Sequence, residues 1–354
     1  MSGRVAIVSP YTLPSYCGNS FLAERLKQGL SRDGFTVRLF NSSIDAPREA
    51  AAFEPDLLHS LNADRPYSWI QTFRTARTIP WVITLTGTDY NSWCGIEDPP
   101  AHIQESLEGA DTLVVFHNEA REVLEDCLPS LRGKIMIIPQ AVFSSGALAR
   151  RVELRQKYGM GTDEVAFLMV ASIRPVKNLR CAIEGLLRLQ RQVGGVKAWL
   201  AGPIIDPQEA DSLFAAAGQL EHFSYLGEVP PDEVREIMAA ADVFLNTSLN
   251  EGMPGSVLEA MAEGLPVVAS DVTGNRSVVV HERNGLLFPV DRVDALVAAA
   301  KRLVLDKRLR ASLGESGRQV ALRDYSAEHE VDAHQGLYRN VLGGFGRLRA
   351  HSTG

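Results

Sequence analysis

The sequence predicts an α/β protein made of two doubly wound, Rossmann-like domains facing a central cleft. Three observations carry that expectation. Short apolar runs rich in valine, isoleucine and leucine alternate with amphipathic stretches of helical period, the pattern of a parallel sheet covered by helices. The alternation occurs as two series with a break between them. A length of 354 residues also suffices for two cores of roughly 150 to 200 residues each.

In the first series the expected strands are Val5–Ser9, Thr36–Phe40, Asp56–Ser60, Trp81–Thr84, Thr112–Phe116 and Ile135–Ile138. Helices such as Phe21–Leu30 and Asn118–Leu128 fall between them. The pattern breaks from Pro139 to about Thr162, where Ser144, Ser145 and Gly146 precede a charged segment. The expected boundary therefore divides residues 1–145 from residues 146–326. The second series runs Val165–Ala171, Lys197–Ala201, His222–Leu226, Val243–Asn246, Pro266–Ala269 and Gly285–Phe288. A final helix from Ala327, within about residues 327–354, is expected to pack back on the first domain. The carboxyl ends of both sheets should line the cleft.

Composition removes several functions. A net charge of −7 speaks against a general nucleic-acid binder, which needs a basic face. The four cysteines, Cys17, Cys94, Cys127 and Cys181, form no C-x-x-C pair, so neither a zinc site nor a disulfide framework is expected. A reduced, cytoplasmic setting follows from that reading. The chain opens directly into Val5-Ala-Ile-Val8 and holds no apolar run near the ~20 residues of a membrane span, so no stable membrane insertion is expected. The oligomeric state is left open.

Chemistry concentrates in the second series. Glu251 and Glu259, with seven residues between them, flank the turn Gly252-Met253-Pro254-Gly255-Ser256-Val257 after the strand Val243–Asn246. A helix opening near Ser256 would present unpaired N–H groups to an anion, and the two glutamates would accept hydrogen bonds from hydroxyls. The competing reading is a capping box between Ser256 and Glu259. Arg174 and Lys177 lie on the loop after the strand Val165–Ala171, where a guanidinium and an ammonium can neutralise a diphosphate. In the first series, Gly18 and Asn19 precede a helix after the first strand, where a glycine turn and a helix N-terminus are expected to contribute to donor binding, and Thr86-Gly-Thr-Asp89 follows the fourth. Asp89 is either a helix cap or a carboxylate on the acceptor side.

Several patterns are absent. No G-x-G-x-x-G follows either leading strand, no G-x-x-x-x-G-K-[ST] occurs, and no D-x-D pair ends a strand. Hence no nicotinamide or flavin cofactor and no metal ion are expected.

In the order Ser172-Ile-Arg-Pro-Val-Lys177, Leu200-Ala-Gly-Pro203, Leu226-Gly-Glu228 and Glu251-x7-Glu259, the chain resembles the retaining glycosyltransferases of family 4, which have the GT-B fold. The resemblance covers essentially the whole chain. It implies transfer of a sugar from a nucleotide diphosphate sugar, most commonly a UDP-sugar, with residues 146–326 holding the donor. No strongly basic amphipathic helix marks a lipid acceptor, so a small soluble acceptor is expected. The resemblance implies that Arg174 and Lys177 bind the diphosphate, that Glu251 contacts the transferred sugar, and that Glu259 holds the ribose. The amides of Gly252 through Val257 would hold sugar and phosphate. Many members carry a histidine after the fourth strand of the first domain, where this chain has Thr86-Gly-Thr-Asp89. Asp89, His59 and His117 are the candidates to replace it.

Gly18-Asn19, Thr86-Gly-Thr-Asp89 and Gly274-Asn275 are also similar to a subgroup with selenosugar synthase and glycosyltransferase-1-domain-containing proteins. That likeness adds a selenium or phosphate nucleophile as an acceptor. A nucleotide-sugar epimerase, a sugar phosphorylase and a non-enzymatic sugar-binding protein stay as alternatives. Tyr16, Tyr90 and Trp93 are aromatics that could stack on an acceptor ring.

Overall fold

The computed structural model describes residues 3–13, 18–94, 98–142, 146–161 and 164–352, without the side chains of residue 148 and residues 345–352. It divides into two compact units. One comprises Met1–Ala141 with Ala327–Gly354, and the other is the uninterrupted stretch Val142–Ser326.

The first unit holds β1 (Arg4–Ser9), β2 (Thr36–Asn41), β3 (Leu57–Leu61), β4 (Trp81–Thr84), β5 (Thr112–Val115) and β6 (Ile135–Ile137) in one parallel sheet of order β2-β1-β3-β4-β5-β6. The second holds β7 (Val165–Val170), β8 (Val196–Ala201), β9 (Phe223–Gly227), β10 (Val243–Asn246), β11 (Val267–Ser270) and β12 (Leu286–Phe288), also parallel, in the order β12-β11-β10-β7-β8-β9. The central strands are apolar because helices cover both faces of such a sheet. Val5 through Val8 and Val165 through Met169 are buried throughout. The expected strands agree with these to within one residue at either end.

In both sheets the chain builds outward from its first strand, then returns to the other side of it. The order therefore reverses between β1 and β3 in the first sheet and between β7 and β10 in the second. At such switch points the loops leaving adjacent strands diverge and open a crevice at the carboxyl edge. Gly202, just after β8, lets the second of these edges close up: a Cβ there would fall 2.1 Å from the Ala171 carbonyl oxygen.

The helix Ala327–Ser352 belongs to the first unit. Glu330 forms a buried ion pair with Arg25 and accepts from the Ala141 amide at 3.1 Å. Tyr338 Oη meets His59 Nδ1 at 2.5 Å, and His59 Nε2 meets Thr84 Oγ1 at 2.8 Å.

One cysteine expectation needs correction. Cys94 and Cys127, 33 residues apart in sequence, form a disulfide with Cα atoms 6.1 Å apart. Spacing along the chain could not show it, because the pairing depends on the β4 loop meeting the end of the helix Asn118–Cys127. Cys181 is free and buried, with its thiol pushed up to about 11 by burial. Cys17 lies outside the described residues. Among those residues no helix is long and apolar enough to cross a membrane.

Candidate active site

The second sheet brings the main sequence candidates to its switch point. Arg174 and Lys177 follow β7, Glu251 follows β10, and the two strands are neighbours. Their loops are tied together: Thr247 Oγ1 donates to the Lys177 and Asn178 carbonyls at 3.1 and 3.0 Å, and the Leu249 amide donates to the Val176 carbonyl at 2.9 Å. Asn178 takes a left-handed conformation at φ 47°, which ends the turn Pro175–Lys177 and starts the helix Leu179–Val193.

Glu251 is the centre of the arrangement. Its Oε1 accepts from Lys177 Nζ at 2.7 Å, Ser248 Oγ at 2.7 Å and Asn246 Nδ2 at 3.2 Å. Burial alone would raise this carboxyl. The Lys177 ammonium and the hydrogen bonds from Lys177, Ser248 and Asn246 outweigh burial and hold it below the ordinary carboxylate range. No described donor reaches Oε2, so that oxygen can accept from a ligand hydroxyl. Asn246 and Ser248 were not singled out in the sequence, although Asn246 ends β10 and so sits at the carboxyl edge.

Arg174 supplies the complementary observation. Its Nε is buried and has no hydrogen-bond partner. An unsatisfied buried donor costs about 1–3 kcal/mol, and an anion at this edge would satisfy it.

The helix after Glu251 is Gly255–Ala262, with Pro254 at its N-cap position and no side-chain cap. The capping-box reading fails, because Ser256 and Glu259 both lie inside the helix. The Val257 and Leu258 amides are used on the Pro254 carbonyl at 3.0 and 3.1 Å. Contrary to the expectation for Gly252 through Val257, the Val257 amide is therefore not available to a ligand. Gly255 and Ser256 present the open amides of the helix start, while the Met253 and Val257 side chains are buried. Glu259 is partly buried in the following turn.

The first-unit candidates are different in kind. Asp89 is fully buried, and its carboxylate accepts from the amides of Ala63 (3.0 Å), Thr86 (3.0 Å) and Gly87 (2.9 Å). Burial pushes its pKa up to about 6 against those four main-chain bonds, one of them to its own amide. It cannot touch an acceptor, so its expected catalytic role is corrected to holding the β3 and β4 loops together. His59 is buried with both ring nitrogens engaged, and burial, with His334 nearby, lowers its pKa. His117 Nδ1 caps the helix Asn118–Cys127 by accepting from the Ala120 amide at 3.1 Å. Tyr90 and Trp93 are core residues, not stacking platforms, and Tyr16 lies outside the described residues. Gly18 and Asn19 open the helix Gly18–Arg32, and a Cβ at Gly18 would meet nothing within 4 Å.

Residues 150–320 match the family model described as glycosyl transferases group 1. The chain is 25% identical over 344 residues to glycosyltransferase 1 domain-containing protein 1 of Xenopus tropicalis, covering 93% of this chain and 96% of that one. It is 26% identical to N-acetyl-alpha-D-glucosaminyl L-malate synthase of Bacillus anthracis, over 74% and 68% of the two chains. Among solved structures, sucrose-phosphate synthase from Thermosynechococcus elongatus superposes with a TM-score of 0.80 at 20% identity, over 96% and 99% of the chains. The Anabaena HepE structure with UDP and glucose gives 0.76 at 14% identity, over 96% and 100%.

Proposed function

Starting from a glycosyltransferase of GT-B architecture, we propose that this chain transfers a sugar from a nucleotide diphosphate sugar, most simply a UDP-sugar, to a small acceptor with retention at the anomeric carbon. The observation that carries this is the pairing, at one switch point, of an unpartnered Arg174 Nε with the open Oε2 of Glu251. Cation and carboxylate suit the two ends of such a donor. Arg174, Lys177 and the amides of Gly255 and Ser256 meet the diphosphate, while Glu251 accepts from a sugar hydroxyl and Glu259 from the ribose. The structural likeness to HepE, whose structure holds UDP and glucose, supports the same class of donor.

In the proposed step the bond from the anomeric carbon to the diphosphate oxygen breaks, and the acceptor bonds the same face of that carbon. The acceptor proton passes to the departing phosphate oxygen. Negative charge gathering on the leaving group is stabilised by fixed cations and amides, a preorganised electrostatic effect. No metal ion is invoked, so turnover should survive chelation by EDTA.

A thermal-shift screen of UDP-, GDP- and ADP-sugars, followed by NMR of the product anomer, tests the reading. Stabilisation by none of the three nucleotides would sink the donor assignment, and an inverted product would sink retention. Release of free nucleoside diphosphate only when acceptor is present separates transfer from epimerisation.

A further inference from the structure

Gly274 and Asn275 stand out in the sequence without a function of their own. They lie in the short helix Thr273–Arg276 that follows β11, against the back of the Glu251 loop. A Cβ at Gly274 would fall 2.4 Å from the Glu251 carbonyl oxygen, so the two backbones are in direct contact.

Asn275 is fully buried. Its Nδ2 lies 3.2 Å from Asn246 Oδ1, 2.9 Å from the Ser270 carbonyl and 3.2 Å from Ser270 Oγ. From there two branches lead to the same carboxylate oxygen. Asn246, whose Oδ1 also accepts from the Ser248 amide at 3.1 Å, extends its Nδ2 to Glu251 Oε1. Ser270 Oγ donates to the Ser248 carbonyl at 2.6 Å, and Ser248 Oγ donates to Glu251 Oε1. Asn275 Oδ1 is buried with no partner. Reversing the amide would aim that oxygen at three acceptors, so the network requires the donor where it stands. A side chain serving only to fill space would not carry this unpaired polar atom.

We infer that Asn275 is a positioning residue that orients Glu251 toward the sugar of the donor, an inference that rests on the nucleotide-sugar reading above. Of the three donors that hold Glu251 Oε1 behind the loop and leave Oε2 open, Asn246 and Ser248 are anchored on Asn275 and Lys177 is not. The consequence is selective: recognition of the sugar depends on Asn275, whereas recognition of the diphosphate does not.

The test compares Asn275→Ala and Asn275→Asp with wild type by calorimetric titration of UDP against UDP-glucose, GDP against GDP-mannose, and ADP against ADP-glucose. With the matching nucleotide, Asn275→Ala should bind the free diphosphate as wild type does. Its affinity for the sugar form and its kcat should fall about tenfold, the weight of one lost buried hydrogen bond. Equal loss for both ligands, or loss for neither, overturns the inference. Asn275→Asp must hold a proton to donate, so its kcat should recover toward wild type as pH is lowered and fall as pH rises. A flat profile overturns it. A crystal structure of Asn275→Ala decides without substrate: Glu251 unmoved rejects positioning, while Glu251 turned away supports it even if the wild type binds no nucleotide sugar and the donor reading fails.

Discussion

The two sheets share a topology, but the switch point of the second and the β3 and β4 loops of the first treat polar groups in opposite ways. At the second, between β7 and β10, Arg174 keeps a buried N–H unpaired, Glu251 keeps one oxygen open, and the helix Gly255–Ala262 starts without a side-chain cap. In the first unit Asp89 and Asn62, which join the β3 and β4 loops, are saturated from within. Asp89 takes the amides of both loops, and Asn62, held at φ 87°, accepts from the Asp64 and Arg65 amides while donating to the hydroxyls of Thr86 and Thr88. Its exposed cation, Arg65, lies over the Tyr11 ring at 5.1 Å. Asp89 and Asn62 are spent on the frame, whereas Arg174 Nε and Glu251 Oε2 remain for a ligand.

That contrast can be broken by experiment. Asp89→Ala deprives the Ala63, Thr86, Gly87 and Asp89 amides of their acceptor and should cost about 4 kcal/mol of stability in urea unfolding, with donor affinity of the folded protein kept. Weak destabilisation with lost activity would place Asp89 with the ligand-facing groups. Arg174→Ala should do the reverse. About 3 kcal/mol of transition-state stabilisation, or roughly a hundredfold in kcat/KM, disappears, while Tm holds or rises because an unpaired donor has gone.

A pH comparison sharpens the point. The Asp89 carboxyl titrates near 6 in the folded protein against an ordinary 3.8, so between those values the native state holds the extra proton. Stability from this group is present at low pH and is lost as pH rises through about 6. Relative to Asp89→Asn, wild type should lose about 2 kcal/mol between pH 4.5 and pH 7. An unchanged difference would show that the site is better solvated than its burial implies. The smallest effect expected is that of Glu259→Gln, about 1 kcal/mol in nucleotide affinity by titration. A drop in Tm alone would restore the cap.

The strands were legible because a covered parallel sheet writes itself as short apolar runs, and β1 through β12 have that pattern. Arg174, Lys177 and Glu251 were legible for a related reason: polar residues directly after such runs must lie at a carboxyl edge. What was not legible depended on neighbours in space. Asp89 and His59 have the residue types of catalysts, but their surroundings consume every lone pair and proton. The Cys94–Cys127 pair and the Asn275 network join segments whose proximity exists only after folding.

The helix Ala327–Ser352 has a consequence for how the molecule comes to exist in time. His59 and Tyr338 are 279 residues apart in sequence, yet they meet in one buried contact. The first unit therefore leaves the ribosome first and stays unsealed until the last helix has been made, whereas the second is complete once Ser326 has emerged. Order of synthesis and order of completion are reversed. Pulse-labelled hydrogen exchange during refolding should find β7 through β11 protected before β1 and β3, with the closing of the long loop setting the later phase.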